Sequence, residues 1–159
     1  SLAEYLNNPQ VLQAVKKMLE SNESLSREVE TLRREQVSQM AEKMLAATPE
    51  RDGMQLFAVQ MKRLPEFVKD LAYTLRARSP RLVFVVGSDN GGKPSLTVML
   101  GEEIAAHGVD AGTVVREAAK LIQGGGGGQK FFATAGGKNA EGLQAAIDKA
   151  VELIKQQLD

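Results

Sequence analysis

A glycine-rich segment near the end of the chain carries the residue types best suited to bind a phosphate. Residues 123–139 read QGGGGGQKFFATAGGKN, and no acidic residue occurs between Glu117 and Glu141. A backbone without Cβ atoms can approach another surface closely, and its N–H groups can hold an anion. The predicted phosphate-binding residues of this region are Gly124, Gly125, Gly126, Gly127, Gly128, Lys130, Lys138, Arg116 and Lys120.

Two structural explanations of the same segment compete with phosphate binding. A flexible linker is disfavoured, because an apolar strand pattern and an amphipathic helix come directly after the glycines. The other explanation is a tight crossing of the fold, in which Phe131 and Phe132 alternate between core and surface. In the binding hypothesis, one of these rings stacks on a base beside a sugar–phosphate backbone. The residues alone leave the crossing and the binding hypothesis open.

A second glycine-rich stretch nearly matches a phosphate-binding P-loop. Residues 87–94 read GSDNGGKP and come after an apolar strand pattern. Pro94, however, stands where the motif needs a magnesium-binding hydroxyl, and the residues after it alternate like a strand instead of opening a helix. We therefore predict a hairpin turn that displays Lys93, and we add Lys93 to the predicted phosphate-binding residues.

Composition limits the other kinds of chemistry. The chain has 159 residues, 20 basic and 20 acidic, with no cysteine and a single histidine, His107. A balanced charge gives no global attraction to nucleic acid, so any such footprint must be local. The absence of cysteine excludes disulfides and fits a reducing compartment. We interpret His107, Glu102 and Glu103 as surface residues, because no nucleophile or metal-ligand set accompanies them.

The chain reads as cytoplasmic, since no apolar run approaches the length of a membrane span and the first residues lack the pattern of a signal peptide. It starts at Ser1 and enters helix-like sequence directly, which suggests a fragment of a longer protein.

A single long helix is predicted from Pro9 to about Ala47, because this stretch has no internal glycine or proline. Pro9 suits the first turn, and Asn7 or Asn8 is the expected cap. Apolar residues recur at heptad spacing along the helix, with β-branched residues at one position, mostly leucine or methionine at the other and one asparagine, as in a two-stranded coiled coil. The alternative is packing on the helix's own chain. The predicted dimerisation seam is Val11, Val15, Met18, Asn22, Leu25, Val29 and Leu32.

After the break at residues 47–53, strand and helix patterns interleave. Strands are predicted over residues 54–61, 81–86 and 95–100 and at FFATA, with helices from Pro65, around Val114–Ile122 and over the last residues, where Leu143 to Leu158 face inward. The predicted fold class is α/β (α+β), with a helical subdomain over residues 1–50 and a small mixed-sheet domain over residues 51–159.

The order of these elements resembles the C-terminal region of alanyl-tRNA synthetases over nearly the whole chain. The glycine run with ATAGGKNAEGL and a terminal helix after it is the most specific part. RLVFVVGSDNGGKPSLTVML resembles the strand–turn–strand before it, and NNPQVLQAVKKMLESNESLSREVETLRRE resembles the helix after the editing domain. The resemblance also extends to the DHH-associated domain class, whose phosphoesterases have a histidine where this sequence has Gln129.

The resemblance implies a division of labour. ATP-dependent attachment of alanine, with magnesium, and a zinc-binding editing function belong to other parts of the family's chains, so no catalytic residue, metal or cofactor is expected on this one. The implied role is docking on the elbow of alanine-specific tRNA together with dimerisation through the helix. The alternative is a purely structural assembly module without autonomous RNA binding.

Overall fold

The computed structural model of the chain describes residue 4 and residues 8–159, which form two compact units, one up to Gln36 and one from Val37. Among these described residues, no helix has the length and apolar character required to span a bilayer. The two units divide between Gln36 and Val37, inside the first helix. This division does not test the boundary predicted near residue 50, which stays a prediction.

Helix α1 (Pro9–Ala47) is continuous over 39 residues, as predicted. Asn8 caps it, since the backbone N–H of Gln10 donates to Asn8 Oδ1 at 2.9 Å. Asn7, the alternative cap, lies outside the described residues. In the unit up to Gln36, Val15, Met18, Leu25, Val29 and Leu32 of the predicted seam are 40–66% exposed, and Val11 is half-buried.

In the described residues, five strands form one mixed sheet in the order β1–β2–β3–β5–β4. The strands are β1 (Gln55–Gln60), β2 (Leu82–Asn90), β3 (Lys93–Leu100), β4 (Gly125–Gly128) and β5 (Phe132–Gly136). β1 and β2 are parallel and are joined by helix α2 (Pro65–Arg78), while the other neighbours are antiparallel. The predicted fold class is thereby confirmed.

The turn between β2 and β3 is shorter than the predicted DNGGK, because β2 continues to Asn90 and β3 begins at Lys93. Only Gly91 and Gly92 lie between the strands, with φ of 65° and 83°. Positive φ at both central residues is the geometry of tight hairpin turns and favours glycine. The hairpin prediction is confirmed, and this stretch does not form a P-loop.

Buried side chains lie on both faces of the sheet. One face packs α2 and the last turns of α1, including Val37 and Ala41. The other face packs α4 (Ala111–Ala118) and α5 (Leu143–Leu158). Period-two alternation explains this division: Leu82 and Phe84 of β2 face the first layer, and the intervening Val83 faces the second.

Two sequence predictions need correction in the second half of the chain. The predicted amphipathic helix ends as an α-helix at Ala118 and tightens into a 3-10 turn over Ala119–Ile122. Tighter winding rotates Leu121 out of the buried face, so it is 42% exposed, while Ile122 is buried. The glycine run, for which no strand was predicted, is the extended strand β4 at one edge of the sheet, and Gly124 to Gly127 do not use the positive φ that glycine allows.

Glu103, one of the two acidic residues near His107, forms an ion pair at the surface. Helix α3 (Glu102–Ala106) exposes Glu103, whose carboxylate accepts a hydrogen bond from Arg81 at 2.7 Å. That hydrogen bond, with the charges of Glu103 and Glu50, raises the pKa of Arg81 and keeps its guanidinium charged. His107 is exposed, and its Nδ1 lies 2.7 Å from the Glu103 carbonyl, as expected for a surface residue.

Candidate nucleic-acid interface

Alternate glycines of the run lie against the neighbouring strand. A Cβ added to Gly124, Gly126 or Gly128 would overlap the backbone of β5 or of the residue just after it, whereas one added to Gly125 or Gly127 would meet nothing within 4 Å. Close approach of two backbones therefore requires glycine at every second position. This is the tight crossing that the sequence left open, and it leaves the phosphate-binding prediction untested.

The edge position exposes part of the backbone of β4. Gln129 donates its N–H to the Phe132 carbonyl at 2.8 Å and continues the register of the ladder. Antiparallel pairs alternate between hydrogen-bonded and non-hydrogen-bonded residues, so Gly126 directs its N–H and carbonyl away from β5. By the same alternation Gly128 also directs its N–H away from β5, so the sheet edge offers donors only at every second residue, instead of the cradle of adjacent donors that a loop would form.

The predicted basic residues lie at two ends of the β4–β5 pair. Lys138 comes just after β5 and lies beside the β2–β3 turn, because the N–H of Gly137 donates to the Pro94 carbonyl at 3.0 Å. Lys93 belongs to the same end. Lys130 lies in the opposite connection, where its carbonyl accepts from Ala111 at 2.8 Å. Four strand residues lie between the two ends, which corresponds to a distance of about 13 Å at the usual rise per residue of a strand.

At the Lys130 end, both phenylalanine rings have internal partners. The Arg76 guanidinium lies 4.5 Å from the centre of the Phe131 ring, and its Nε donates to the Leu100 carbonyl at 3.0 Å. Phe132 packs on Tyr73, with 5.3 Å between ring centres. Both rings are half-buried against the α2 layer, so they do not alternate between core and surface as the crossing hypothesis predicted. The stacking that the binding hypothesis assigned to one of them would have to displace these contacts.

Arg116 and Lys120, both on the α4 side, differ in availability. Lys120 donates to both carboxylate oxygens of Glu117, at 3.0 and 3.1 Å, so its charge is already partnered. The Arg116 side chain extends toward the start of α4. One of its guanidinium nitrogens lies 3.5 Å from the position that a Cβ on Gly112 would take. The Gly128 carbonyl borders the same space, which puts Arg116 with the Lys130 end.

The Lys138 end contains an open groove of about 710 Å³. Four segments border it: the start of α2 with Leu64 and Pro65, the β2–β3 turn with Lys93, the residues Gln123 and Gly124 before β4, and the end of β5 with Gly136 and Lys138. Of the predicted residues, the groove brings together Gly124, Lys93 and Lys138.

Side chains on the α2 face of the sheet shrink toward the groove. Three cross-strand rows, each spanning β2, β3 and β5, show the change: Phe84, Met99 and Phe132, then Val86, Thr97 and Thr134, then Ser88, Ser95 and Gly136. The last row has too little volume to fill the layer under the start of α2, so a groove remains there. The residue types alone did not predict a site at Leu64, Ser95 or Gly136, although side chains that become smaller along each strand are a signal that the sequence contains.

Electrostatics favour an anion at this groove. Lys93 and Lys138 are exposed, and within the part of the chain that the structure describes neither ammonium group has a salt-bridge partner. Asn90 and Gln123 also border the groove, and their amides have no hydrogen-bond partner among the described residues. No aspartate or glutamate of the described residues lines it.

Comparison with known proteins places this geometry in a family context. The family model of the DHHA1 domain matches residues 53–156. An alanine–tRNA ligase from Bacteroides thetaiotaomicron is 45% identical over 148 residues, which cover 92% of this chain and 17% of that protein. An alanine–tRNA ligase from Porphyromonas gingivalis is 41% identical over 145 residues, which cover 90% and 17%. The chain thus spans about a sixth of the length of these relatives.

A solved structure extends the similarity to the fold. The C-Ala domain of Aquifex aeolicus alanyl-tRNA synthetase superposes with a TM-score of 0.57 at 31% identity, over 70% of this chain and 96% of that one. The resemblance that the sequence suggested is confirmed, since the family match, the relatives and the structural neighbour agree. From the sheet, its crossing glycines and these similarities together, we conclude that the chain belongs to the DHHA1 domain family.

Proposed function

We propose that this chain is the C-terminal module of an alanyl-tRNA synthetase and docks on the elbow of alanine-specific tRNA. The proposal is supported by relatives that are alanine–tRNA ligases and by a structural neighbour that is the C-Ala domain of such an enzyme. Attachment of alanine, with ATP and magnesium, and zinc-dependent editing would then belong to parts of the enzyme outside this chain. The module itself would support both by holding the tRNA.

One observation carries the tRNA proposal: Lys93 and Lys138, from segments 45 residues apart, line the same groove, and neither ammonium group has a salt-bridge partner among the described residues. No carboxylate of those residues lines the groove, and Asp89 beside it accepts a hydrogen bond from Gly92. The net charge of the chain is zero, so a local cluster must supply any attraction to RNA. Few ionic contacts and recognition by shape are typical of proteins that bind folded RNA through its backbone. Such binding weakens as salt rises.

The direct test is a titration of the chain against intact alanine-specific tRNA and against an acceptor-stem hairpin that lacks the elbow, each at two salt concentrations. We expect salt-sensitive binding to intact tRNA and weak binding to the hairpin. Equal binding to both RNAs would contradict elbow docking, and binding to neither by a folded chain would contradict autonomous RNA binding.

Charge reversal then locates the surface. Because Lys130 and Lys138 lie at opposite ends of the β4–β5 pair, reversing both tests the two ends at once, and it should weaken tRNA binding. Lys93→Glu with Lys138→Glu tests the groove alone, and Arg116→Glu with Lys130→Glu tests the other end. If each lysine of the groove pair makes one ionic contact with the RNA backbone, reversing both should reduce the magnitude of the negative slope of log K against log salt by about 1.5. Lys43→Glu with Lys155→Glu, two exposed positions that do not line the groove, changes the net charge by the same amount and is the matched control.

The exposed seam of α1 supports a second candidate function. Apolar side chains that repeat every heptad and remain 40–66% exposed in the single chain are typical of a helix that pairs. In this candidate, α1 forms a dimer or pairs with parts of its own enzyme outside this chain, and the α/β unit serves assembly without binding RNA. A chain that is dimeric but does not bind tRNA at low salt would favour it over docking.

A further inference from the structure

We propose that the groove between the start of α2, the β2–β3 turn and the end of β5 accepts one unstacked nucleotide. Its base would lie on the apolar wall formed by Leu64 and Pro65, and its phosphate would lie on Lys93 and Lys138. This inference rests on the proposed tRNA function and adds to it, because docking by shape and phosphate needs no base outside a stack.

The groove is held in place by backbone hydrogen bonds. Gly137 donates to the Pro94 carbonyl at 3.0 Å, and Lys138 donates to the Ile122 carbonyl at 2.8 Å. Within the β2–β3 turn, the backbone N–H of Gly92 also donates to the side-chain Oδ1 of Asp89 at 2.9 Å and fixes the turn. Walls that are ordered before binding lose little conformational entropy when a ligand arrives. A small ligand therefore gains most of the interaction energy of its contacts.

The dimensions and surface suit a flat ring. A volume of about 710 Å³ lies in the range of small-molecule sites. Leu64 is 67% exposed and the adjoining Pro65 is also exposed, so this wall presents apolar surface to solvent. Gly136 forms part of the floor, and the space where its Cβ would stand is open within 4 Å. A peptide plane with no side chain above it offers a flat surface to a base.

The polar groups lie where a nucleotide would need them. Two ammonium groups with no salt-bridge partner among the described residues provide charge for one phosphate. The amides of Asn90 and Gln123, also without internal partners in that part of the chain, can each donate to and accept from a base edge. A continuous RNA duplex cannot supply this ligand, because its bases are stacked inside the helix. An acidic peptide would use the lysines and leave the apolar wall uncovered.

The test measures binding of the full chain to three fluorescent RNA probes by anisotropy: a five-nucleotide single strand, the abasic strand with the same backbone and all five bases removed, and a duplex of similar charge. Removing the bases should weaken binding about 5-fold or more, as expected for the loss of one stacked base. The duplex should bind no better than the abasic strand. Equal binding of the intact and abasic strands would overturn the nucleotide site.

Filling the groove gives an independent readout. Gly136→Leu adds a side chain into open space at the floor, and it should abolish the preference for the intact strand while the residual affinity matches that of the abasic strand. Thr134→Leu, exposed on the same face of β5 but outside the groove, is the matched control and should keep the preference. If Gly136→Leu does not fold by circular dichroism, Leu64→Asp, at an exposed position, replaces it. An unchanged preference in the folded variant would overturn the site.

The outcomes separate this inference from the proposed function. Binding of intact tRNA without a preference for the intact over the abasic strand would leave elbow docking in place and remove the nucleotide site. A base preference without selective tRNA binding would keep the nucleotide site and remove elbow docking. Equal binding of poly-glutamate and the single strand would show a general anion site and would overturn the proposed nucleotide site.

Discussion

The glycines of the run differ in what they do, although they are identical in sequence. Gly124, Gly126 and Gly128 lie against the backbone of β5 or of the residue just after it, so the space for a side chain is already occupied. Gly125 and Gly127 point into open space and have backbone angles that other residues adopt. At the residue scale, therefore, three positions serve the fold and two are free of that constraint.

This difference predicts opposite effects of alanine on stability. Gly126→Ala should lower the free energy of unfolding by about 2 kcal/mol or more, because the added methyl group overlaps the Thr134 carbonyl and the strands must separate. Gly125→Ala should leave the stability unchanged or raise it by up to about 1 kcal/mol, since alanine restricts the unfolded chain. Urea unfolding monitored by circular dichroism measures both. Similar midpoints for the two variants would contradict the alternation.

At the scale of elements, the sequence predicts the features that periodicity and turn chemistry determine. Pro65 begins α2, the apolar run after Arg81 forms β2, and the glycine pair at residues 91 and 92 forms the hairpin turn. Those features are local, since each depends on residues close together in the chain. They therefore could be predicted without knowing the tertiary structure.

Strand β4 could not be predicted in the same way, because glycine has low strand propensity and no side chain to show alternation. Its extended form comes from pairing with β5 and from the space that missing Cβ atoms leave. The groove is also a tertiary feature: Lys93 and Lys138 meet only because β3 pairs with β5. Their separation from Lys130 results from the same register, which the sequence does not specify.

The seam of α1 gives a prediction at the element scale. Leu25→Asp with Leu32→Asp should convert a dimer to a monomer, because two carboxylates per helix cannot be buried in a coiled-coil interface without a large loss of solvation. Size-exclusion chromatography with light scattering measures the mass directly. Ser24→Asp with Thr31→Asp adds the same charge off the seam and should leave the mass unchanged. A wild-type chain that is already monomeric at high concentration would contradict dimerisation through the seam.

On the scale of the whole molecule, charge is organised locally. Basic and acidic residues cancel in the sum, yet the groove at the Lys138 end has no carboxylate among the described residues that line it. In the proposed function, a neutral molecule with a cationic groove would attract RNA only at short range, and salt would screen that attraction. This arrangement suits a module that acts beside other RNA-binding parts of an enzyme, whose combined contacts would raise the effective concentration of the tRNA.

The last turns of α1 decide where the globular unit begins. Val37 and Ala41 are buried in the α2-side core, and Met40, Met44 and Leu45 pack against it. Removing residues 1–36 should therefore leave the urea midpoint of the α/β unit nearly unchanged. Removing residues 1–47 should lower the free energy of unfolding by several kcal/mol, since each buried aliphatic side chain contributes about 1.5–3 kcal/mol.

A loss of that size is a large part of the total stability of a small domain, about 5–15 kcal/mol, so the shorter fragment should be partly unfolded at 25 °C. Circular dichroism and urea unfolding of both fragments, at equal concentration, provide the comparison. Equal midpoints would mean that Val37 and Ala41 add nothing to the core and that the boundary predicted near residue 50 is the physical one. A midpoint that falls only for the shorter fragment would put the boundary inside α1, where the helix passes from an exposed seam to a buried face.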